Sequence, residues 1–514
     1  MLLLTAFTAG MTSLGIEFAA SRLLGNVFGT TNLVWANIIG LILVYLTAGY
    51  FLGGRWADRS PYAITFYRLV LWAAFASGLI PIVAHPVLRW AASAVEDLNA
   101  AIMAGSFLAV LILFCIPVTL LGCVSPFVIR LLLDDRSRAG QTAGQVYAVS
   151  TLGSILGTFL PVLWLIPEIG TARTFLVMSG CLLLIGLIGM ATADRRQALM
   201  HLWMPVVLAG LAWWALRGPI KASTGQLYES ESAYNYIQVR EIGGVRYLML
   251  NEGQAVHSVY DPSGNPTYGT WDYFLAAPFF NAAPKEADEV LRLGIVGLAA
   301  GTIAQQYTQV FGPIPIDGWD IDPEVMEVGR EYFAMTEPNL QAIPQDGRWG
   351  LEHSGQIYSV IAVDAYRPPY IPWQLTTKEF FEVVRGHLTA DGVVAINVGR
   401  TPEDRRLVDA LAGTMGAVFP SVHVVDVPGT FNTMVYATVQ PTVGSNLERN
   451  LEYLREAGAP PLLLDVVGRA ADNLQPTPAA GLVFTDDRAP VETLVNSIVI
   501  RFVLAGQLET LSAQ

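Results

Sequence analysis

The chain has little of what disulfide frameworks and metal sites need. Its 514 residues include three cysteines and six histidines. Cys115, Cys123 and Cys181 all fall in apolar runs, where a free cysteine packs as a small hydrophobic residue. The histidines are scattered without metal-ligand spacing. The sequence therefore predicts no disulfide framework, and we expect no metal.

Lysine is missing from the first part of the chain. Residues 1–217 contain 12 arginines, no lysine and 8 acidic residues, a net charge of +4. The remainder holds 18 basic and 35 acidic residues, a net charge of −17. This balance favours cationic ligands and argues against a nucleic-acid partner. Two chemically different parts therefore meet near Gly218.

Long apolar runs dominate the first part. Six have about the twenty residues that a bilayer crossing requires. They lie near 2–20, 33–53, 66–88, 101–122, 146–166 and 174–192. A seventh run, near 202–216, is shorter and contains Pro205. No cleavable signal-peptide pattern precedes the first run. We expect residues 1–217 to form a transmembrane helical domain of six to seven apolar segments.

The positions of the arginines predict the orientation in the membrane. Basic residues follow the second, fourth and sixth runs, which the positive-inside rule places in the cytoplasm. These residues are Arg55, Arg59, Arg130, Arg136, Arg138, Arg195 and Arg196. Positive charge on both flanks of the seventh run favours a segment that returns to the cytoplasm. A full crossing would instead place the remainder of the chain outside the cell. We expect a multi-pass plasma-membrane protein with a cytoplasmic soluble part.

The second part has the pattern of an α/β protein. After a linker at 218–225, apolar and polar residues alternate around Gly243-Gly244, which predicts a β-hairpin subdomain over 226–285. Strands and helices alternate over 286–440 and predict a doubly wound parallel, Rossmann-like sheet with an edge hairpin at its end. Residues 441–514 form an extension in which we expect a loop rich in proline and glycine and a helix over 491–505.

A small-residue turn follows the strand predicted at 291–297. Gly297, Ala299 and Gly301 let the backbone approach a ligand, and Asp320 ends the next strand about twenty residues later. An acidic residue there can accept hydrogen bonds from a ribose diol. Because the turn lacks a further glycine three residues on, it favours an S-adenosyl ligand over a dinucleotide.

Further aspartates are expected at the same sheet edge. Asp346-Gly347 follows the next helix, and Asp364 ends the strand YSVIAVD. Each residue alone also fits a helix cap or a tight turn. Because all of these points emerge at the carboxyl edge of the sheet, where ligands bind, their combination favours a binding site.

Two further motifs carry a family resemblance. Glu231-Ser232-Ala233-Tyr234 resembles an opening ESxY motif, and Leu250 to His257, LNEGQAVH, resembles a diverged LDGxxQ strand. Residues from about 226 to 440 resemble the spermidine synthase family of polyamine aminopropyltransferases, in the type fused behind an N-terminal membrane domain. The resemblance implies a class I S-adenosylmethionine-type fold, decarboxylated S-adenosylmethionine as cosubstrate, a polyamine acceptor, released methylthioadenosine and a possible homodimer.

The resemblance also implies roles for individual residues. Asp364 would be catalytic, Asp320 would hold the ribose hydroxyls, and Asp346 and Gly347 would lie beside the adenine. The glycine-rich turn, Gly297, Ala299 and Gly301, would complete the cosubstrate site. The amine pocket would include Tyr234, His257, Asp272, Tyr366 and Arg367.

The sequence departs from the family pattern at two positions. Ala300 stands where an aspartate would bind the donor's amine, and Arg367 replaces a second acidic residue after Asp364. A second hypothesis is therefore a methyl- or aminocarboxypropyltransferase that uses intact S-adenosylmethionine on an amine or membrane-delivered acceptor. A third is a transport or sensor protein that binds polyamine or nucleoside without turnover.

Overall fold

The computed structural model describes residues 1–28, 32–93, 98–133, 136–215, 223–251, 256–366, 370–478 and 481–504. The chain divides into two compact units. The first comprises Met1–Ser223 and Glu229–Tyr236, and the second Thr224–Tyr228 and Ile237–Gln514.

The first unit is built mainly from helices. Helices α1 to α10 are Leu2–Phe28, Asn32–Arg59, Ala63–Ser93, Leu98–Gly122, Val124–Leu132, Ala139–Leu160, Ile166–Ile169, Thr171–Ala193, Arg195–Met200 and Trp203–Ala215. A π-helical turn, Pro161–Leu165, joins α6 to α7 and keeps this stretch continuous.

Among the described residues, six helical stretches are long and apolar enough to cross a membrane. They are Leu2–Gly25, Val34–Arg59, Ala63–Ala84, Gly105–Leu132, Ala139–Ile169 and Thr171–Ala193. They correspond to the six long runs predicted from the sequence. Helix α10 lies within the seventh run, has 13 residues and is shorter than a full crossing needs.

Small residues bring the helices of the first unit into backbone contact. A Cβ atom at Gly153 would lie 1.9 Å from the Phe7 carbonyl oxygen, and one at Gly157 would lie 2.1 Å from the Met11 carbonyl oxygen. Glycines four residues apart share one helix face, so α6 packs directly on the backbone of α1. A larger side chain at either position would force these helices apart.

A four-stranded sheet precedes the nucleoside-binding pattern. Strands β1 to β4, Gln226–Glu231, Tyr236–Ile242, Val245–Leu250 and Val256–Tyr260, lie in the order β1-β2-β3-β4. Ile242 pairs with Val245 across Gly243-Gly244, whose φ angles are +63° and +86°. Positive φ at both central residues is the geometry of a tight hairpin turn, so the predicted hairpin is confirmed.

The remaining elements form an α/β domain. Strands β5 to β12 are Leu293–Val296, Ile316–Asp320, Leu340–Pro344, Tyr358–Val363, Leu388–Gly399, Ser421–Asp426, Asn432–Thr438 and Leu474–Gln475. Helices α11 to α19 are Thr270–Tyr273, Thr302–Phe311, Pro323–Tyr332, Gly347–Glu352, Lys378–Gly386, Arg406–Gly416, Asn446–Glu456, Pro461–Asp472 and Val491–Leu504. A 3-10 helical segment, Phe274–Phe280, follows α11.

The larger sheet is parallel at its centre and antiparallel at one edge. Its described strands lie in the order β12-β10-β11-β9-β8-β5-β6-β7. Strands β7, β6, β5, β8 and β9 are parallel, and β11, β10 and β12 continue the sheet in antiparallel pairs. The predicted Rossmann-like sheet with an edge hairpin is therefore present.

Both faces of this sheet are covered. Val360 and Ala362 of β8 pack in one apolar cluster, whereas Ile361 and Val363 pack in another. Because successive side chains of a strand point to opposite faces, a strand buried on both faces is apolar throughout. This arrangement explains why β8 has no alternating pattern and places its polar end at Asp364.

The prediction of a loop after residue 441 was wrong. Residues 446–456 and 461–472 are helices α17 and α18, and β12 follows them. Leu447, Leu451 and Leu454 are buried at helical spacing, which stabilises α17 against the domain. Gly444, Gly458, Pro460 and Pro461 lie at the ends of these helices, so they mark boundaries rather than a continuous loop.

Candidate active site

The turn after β5 lies against the end of β8. Gly297 has φ +93°, and a Cβ atom there would lie 2.5 Å from the Ala365 backbone nitrogen. The Asp364 N–H donates to the Val296 carbonyl oxygen at 2.9 Å. A side chain at Gly297 would be both strained and obstructed. The turn therefore brings the ends of β5 and β8 together, as the sequence predicted.

The other small residues of the turn have different constraints. Ala299 has φ +46° and Gly301 has φ +88°, so the backbone is left-handed at both positions. Ala300 is buried in an apolar cluster with Ile237 and Val239. An aspartate at position 300 would place a charge among these side chains, which is costly without a partner. An alanine at position 300 therefore fits its apolar surroundings.

Asp320 is bound directly to the turn. One carboxylate oxygen accepts from the Ala299 N–H at 2.9 Å, and the other accepts from the Asp322 N–H at 3.0 Å. Burial raises the pKa of Asp320 to about 6, and these hydrogen bonds oppose the rise. The carboxylate is held at the end of β6 with lone pairs left to accept hydrogen bonds from a diol.

Asp322 and Asp346 are both helix caps. The Asp322 side chain accepts from the Glu324 N–H at the start of α13, and the Asp346 side chain accepts from the Trp349 N–H at 3.0 Å at the start of α14. A Cβ atom at Gly347 would lie 2.6 Å from Val296 Cγ1. The cap hydrogen bond fixes the orientation of the Asp346 side chain. The close approach of Val296 explains why residue 347 is a glycine.

Asp364 ends β8 and has an ordered set of partners. Asn397 Nδ2 donates to Asp364 Oδ1 at 2.9 Å, and Asn432 Nδ2 donates to Asn397 Oδ1 at 2.9 Å. Burial raises the pKa of Asp364 to about 7, whereas hydrogen bonds from Asn397 and Trp271 lower it. A carboxyl group with this pKa can accept or hold a proton at neutral pH.

Tyr366 lies two residues beyond Asp364. Its hydroxyl oxygen is 2.8 Å from where a Cβ atom at Gly399 would stand, so the glycine makes room for it. Burial raises the pKa of Tyr366, and the nearby Asp364 carboxylate adds to the rise. Tyr366 is therefore a neutral phenol close to Asp364. Arg367 lies outside the described residues.

Strand β4 supports the other side of the turn. Ser258 Oγ accepts from the Ala300 N–H at 3.0 Å, and Thr302 Oγ1 donates to the Val259 carbonyl oxygen at 2.9 Å. His257 precedes these residues, and burial lowers its pKa to about 4. The imidazole is therefore neutral at physiological pH.

Asp272 is fully buried and already bound within the protein. Oδ1 accepts from the Thr267 N–H and hydroxyl and from Gln306 Nε2, and Oδ2 accepts from the Tyr268 N–H and Arg469 Nη2. This predicted substrate-binding carboxylate thus has an internal cationic partner. The preceding residue, Trp271, lowers the pKa of Asp364, whereas the described partners of the Asp272 side chain are Thr267, Tyr268, Gln306 and Arg469.

Tyr234 belongs to the first unit. Its carbonyl oxygen accepts from Arg22 Nη1 at 2.9 Å, and its side chain is 42% exposed. In the same segment, Glu231 Oε2 accepts from the Thr171 N–H at 2.9 Å at the start of α8. The Glu231–Tyr234 motif is therefore held by helices of the first unit, and the role of Tyr234 in an amine pocket stays a prediction.

The structure brings together most of the predicted residues of the second unit. Gly297, Ala299 and Asp320 share hydrogen bonds or backbone contacts, and the same turn contacts the end of β8 at Asp364. Within the described residues, no group of three or more histidine, cysteine, aspartate or glutamate side chains is arranged to hold a metal ion.

Several residues of the site were missed from the sequence. The most direct are Asn397, Asn432, Trp271 and Arg469. Asn397 had one available signal, because it is a polar residue inside the apolar strand VVAINVG. Arg469 had no such signal in the sequence, since it lies 197 positions from its partner Asp272.

Comparison with known proteins finds polyamine aminopropyltransferases among the relatives. No family model matches the chain. A probable polyamine aminopropyl transferase of Bifidobacterium longum is 33% identical over 304 residues, which cover 56% of this chain and 64% of that protein. A polyamine aminopropyltransferase of Vibrio vulnificus is 28% identical over 236 residues, 44% of this chain and 75% of that protein. Over about half of its length the chain is therefore similar to polyamine aminopropyltransferases.

The match is partial, and another class of relative is also found. The chain spans less than two thirds of the length of the Bifidobacterium longum protein. A human eEF1A lysine and N-terminal methyltransferase is 25% identical over 166 residues, 29% of this chain and 23% of that protein. All three relatives are named as transferases.

Proposed function

We propose that the second unit transfers an aminopropyl group from decarboxylated S-adenosylmethionine to an amine. The observation that carries this proposal is the position of Asp364. Its carboxyl group lies at the end of β8 beside the Gly297 turn, accepts a hydrogen bond from Asn397, and has a pKa of about 7. The names of the relatives support the same reaction.

The residues of the turn fit an S-adenosyl ligand. Gly297 and Gly301 keep the backbone free of side chains, and Asp320 is anchored at the position expected for a ribose diol. Asp346 and Gly347 lie at the start of α14 and would line the adenine side. The donor supplies a methylene carbon activated by a sulfonium leaving group.

Asp364 would act on the acceptor amine. An alkylammonium with a pKa of about 10 has no free lone pair, so one proton must leave before or during attack. Asp364 accepts that proton. The amine nitrogen then forms a bond to the methylene carbon, the carbon–sulfur bond breaks, and its electron pair stays on sulfur as the thioether of methylthioadenosine. The product is a secondary ammonium, and the proton on Asp364 returns to solvent.

Asn397 would position Asp364 for this step. It donates to one oxygen of Asp364 and is itself fixed by Asn432. This arrangement keeps the second oxygen in one orientation and limits the motion of the base. Precise placement of a base and nucleophile accounts for a large part of many enzymatic rate enhancements.

A second candidate uses intact S-adenosylmethionine as donor. The observation in its favour is Ala300, which is buried in an apolar cluster and offers no carboxylate to the amine of a decarboxylated donor. Methyl transfer or aminocarboxypropyl transfer to an amine would then follow with the same base. These reactions release different nucleosides or use different donors, so they are separable by experiment.

The test is to identify the released nucleoside. Full-length protein in detergent is incubated with each donor and a panel of amines, and products are analysed by mass spectrometry. Methylthioadenosine from the decarboxylated donor supports the proposal, whereas methylthioadenosine from intact S-adenosylmethionine indicates aminocarboxypropyl transfer. S-adenosylhomocysteine indicates methyl transfer.

Two variants connect the activity to the site. Asp364→Asn is expected to lose transfer, while Asp288→Asn, at an exposed carboxylate on a surface turn, retains it. If neither nucleoside is released under any condition, the enzymatic proposals fail and a binding or transport role gains support. If Asp364→Asn retains full activity, the proposed role of this carboxylate is wrong.

We also propose that the six long helices anchor the protein in the plasma membrane with the second unit in the cytoplasm. Their length and composition support the anchoring, and the arginines after the second, fourth and sixth runs support the orientation. Protease added to intact cells should leave the second unit whole. Cleavage there would contradict the orientation.

The homodimer stays a prediction, which light scattering on detergent-solubilised protein tests.

A further inference from the structure

A tight turn near the end of the chain, residues 485–488, is anchored to the core of the second unit. The Thr485 N–H donates to the Arg488 carbonyl oxygen at 3.1 Å, and the Arg488 N–H donates back to the Thr485 carbonyl oxygen at 2.9 Å. Phe484, just before the turn, is fully buried in an apolar cluster, and its N–H donates to Thr414 Oγ1 at 3.0 Å. The 485–488 turn is therefore a fixed part of the domain.

Asp486, in this turn, forms a bidentate ion pair with Arg348. Arg348 Nη1 donates to Asp486 Oδ1 at 2.8 Å, and Nη2 donates to Oδ2 at 2.7 Å. Thr377 Oγ1 donates to the same Oδ1 at 2.7 Å, and the Asp486 N–H donates to Glu379 Oε2 at 2.9 Å. Two parallel hydrogen bonds between a guanidinium and a carboxylate fix both distance and direction. The 485–488 turn therefore holds the Arg348 side chain in one orientation.

Arg348 directly follows Asp346 and Gly347, the residues proposed to line the adenine side of the donor site. The Gln345 N–H donates to the Asp320 carbonyl oxygen at 2.8 Å, so the chain that enters α14 lies beside the end of β6. Gly347 packs against the last residue of β5 without room for a side chain. The start of α14 therefore lies at the sheet edge where the donor is expected, and Arg348 links it to the 485–488 turn.

Helix α14 needs such a link because it is short. It has six residues, and a helix of this length is not stable by itself. Its first turn depends on the Asp346 cap and on tertiary contacts. Arg348 supplies two of these contacts, the ion pair with Asp486 and a hydrogen bond from Nη1 to the Gln374 carbonyl oxygen at 3.1 Å. Loss of the ion pair would free the first turn of α14, including Asp346, to move.

We propose that Asp486 and Arg348 are positioning residues for the adenine side of the donor site. The inference rests on the proposed function. The ion pair fixes the start of α14, and with it the carboxylate of Asp346 and the backbone of Gly347. A ligand that meets a fixed edge binds more tightly, because less of the protein must be ordered on binding. The base Asp364 lies on another element, so the ion pair acts on donor affinity and leaves proton transfer unchanged.

The test uses methylthioadenosine, the proposed product, as its probe. The Kd for full-length protein in detergent is measured by calorimetry for the wild type and for Asp486→Asn, whose amide group replaces one acceptor of the ion pair with a donor. We expect the Kd to rise about tenfold, the effect of losing a hydrogen-bonded charge pair. The matched control is Asp487→Asn, at the next and exposed carboxylate of the same turn, which should keep the wild-type Kd.

Three further variants test the ion pair itself. Asp486→Glu keeps a carboxylate for Arg348 and should restore most of the affinity. Arg348→Met should raise the Kd as Asp486→Asn does. The double variant, Arg348→Met with Asp486→Asn, should bind no more weakly than either single variant, because one ion pair can be lost only once. Additive losses would show that the two residues act separately, and the inference would be wrong.

Steady-state kinetics with the decarboxylated donor separate positioning from a general loss of structure. Asp486→Asn should raise the KM for the donor about tenfold and change kcat by less than about twofold, as expected when binding alone is weakened. A partly unfolded variant would instead have a lower kcat at an unchanged KM, because fewer molecules are active. That pattern would contradict the positioning role.

The outcomes distinguish this inference from the proposed function. If folded Asp486→Asn binds methylthioadenosine as tightly as the wild type, the ion pair does not position the site, although the proposed transfer stands. If Asp486→Asn fails to fold, the Kd of Arg348→Met decides instead. If methylthioadenosine binds but no transfer is detected, the Kd values still decide the role of the ion pair. If the wild-type protein does not bind methylthioadenosine, the proposed donor site fails and this inference fails with it.

Discussion

Replacing Asp364 with asparagine is expected to abolish transfer and to stabilise the folded second unit at alkaline pH. Burial raises the pKa of Asp364 from the usual 3.8 to about 7. Between these values the folded state keeps a proton that the unfolded state has lost, so stability falls as pH rises through this window. Asparagine removes the charge and retains an oxygen that can accept from Asn397.

The magnitude follows from the two pKa values. Each pKa unit corresponds to about 1.4 kcal/mol, so the full difference at about pH 8.5 is about 4 kcal/mol. At about pH 5.5 the unfolded carboxyl is ionised while the folded one is still protonated, and the difference is about 2 kcal/mol. Both values are upper limits, because water and side-chain relaxation reduce the cost of a buried charge.

The assay is thermal unfolding of the full chain in detergent, monitored for the second unit at both pH values. Asp364→Asn should raise the unfolding midpoint, and the increase should be larger at pH 8.5. The exposed control Asp288→Asn should change the midpoint little and equally at both. An equal shift of Asp364→Asn at both pH values, or a lower midpoint at pH 8.5, would refute the argument from the buried charge.

Two further predictions concern the turn and the base. Gly297→Ala should abolish nucleoside binding measured by calorimetry, because the new Cβ would lie 2.5 Å from the Ala365 nitrogen. The control is Gly312→Ala, at φ +78° with open space around it. This variant should lose only about 1–2 kcal/mol of stability to backbone strain and should retain binding. Equal binding by both variants would contradict this. Asn397→Ala should lower kcat about tenfold and move the acidic limb of the pH–rate profile upward, because Asp364 loses a hydrogen bond that lowers its pKa. An unchanged limb would show that Asn397 does not tune Asp364.

The elements with strong local signals were predictable. The hairpin at Gly243-Gly244 requires positive φ at two successive residues, and glycine is the residue that adopts this conformation freely. Strand β8 was predicted over the residues at which it occurs, because a short apolar run bounded by polar residues fits a strand buried on both faces. The six long apolar helices follow from length and composition alone.

The C-terminal helices show where local interpretation failed. Prolines and glycines around α17 and α18 indicated a loop, although the buried residues within each helix recur at helical spacing. Leu447, Leu451 and Leu463 pack into the core of the second unit. Such packing stabilises short helices that local propensity leaves marginal.

The amino-acid sequence by itself determined the division into an apolar helical part and an acidic α/β part, the glycine turn, and the order of the aspartates along the sheet edge. These features depend on periodicity, composition and backbone freedom, which are local. The tertiary structure alone decided the partners of those aspartates. Asp364 meets Asn397 from a neighbouring strand, and Asp272 meets Arg469 from a helix 197 positions away. The charge that a carboxylate presents to a ligand depends on burial and on such distant donors, and spacing along the chain does not specify them.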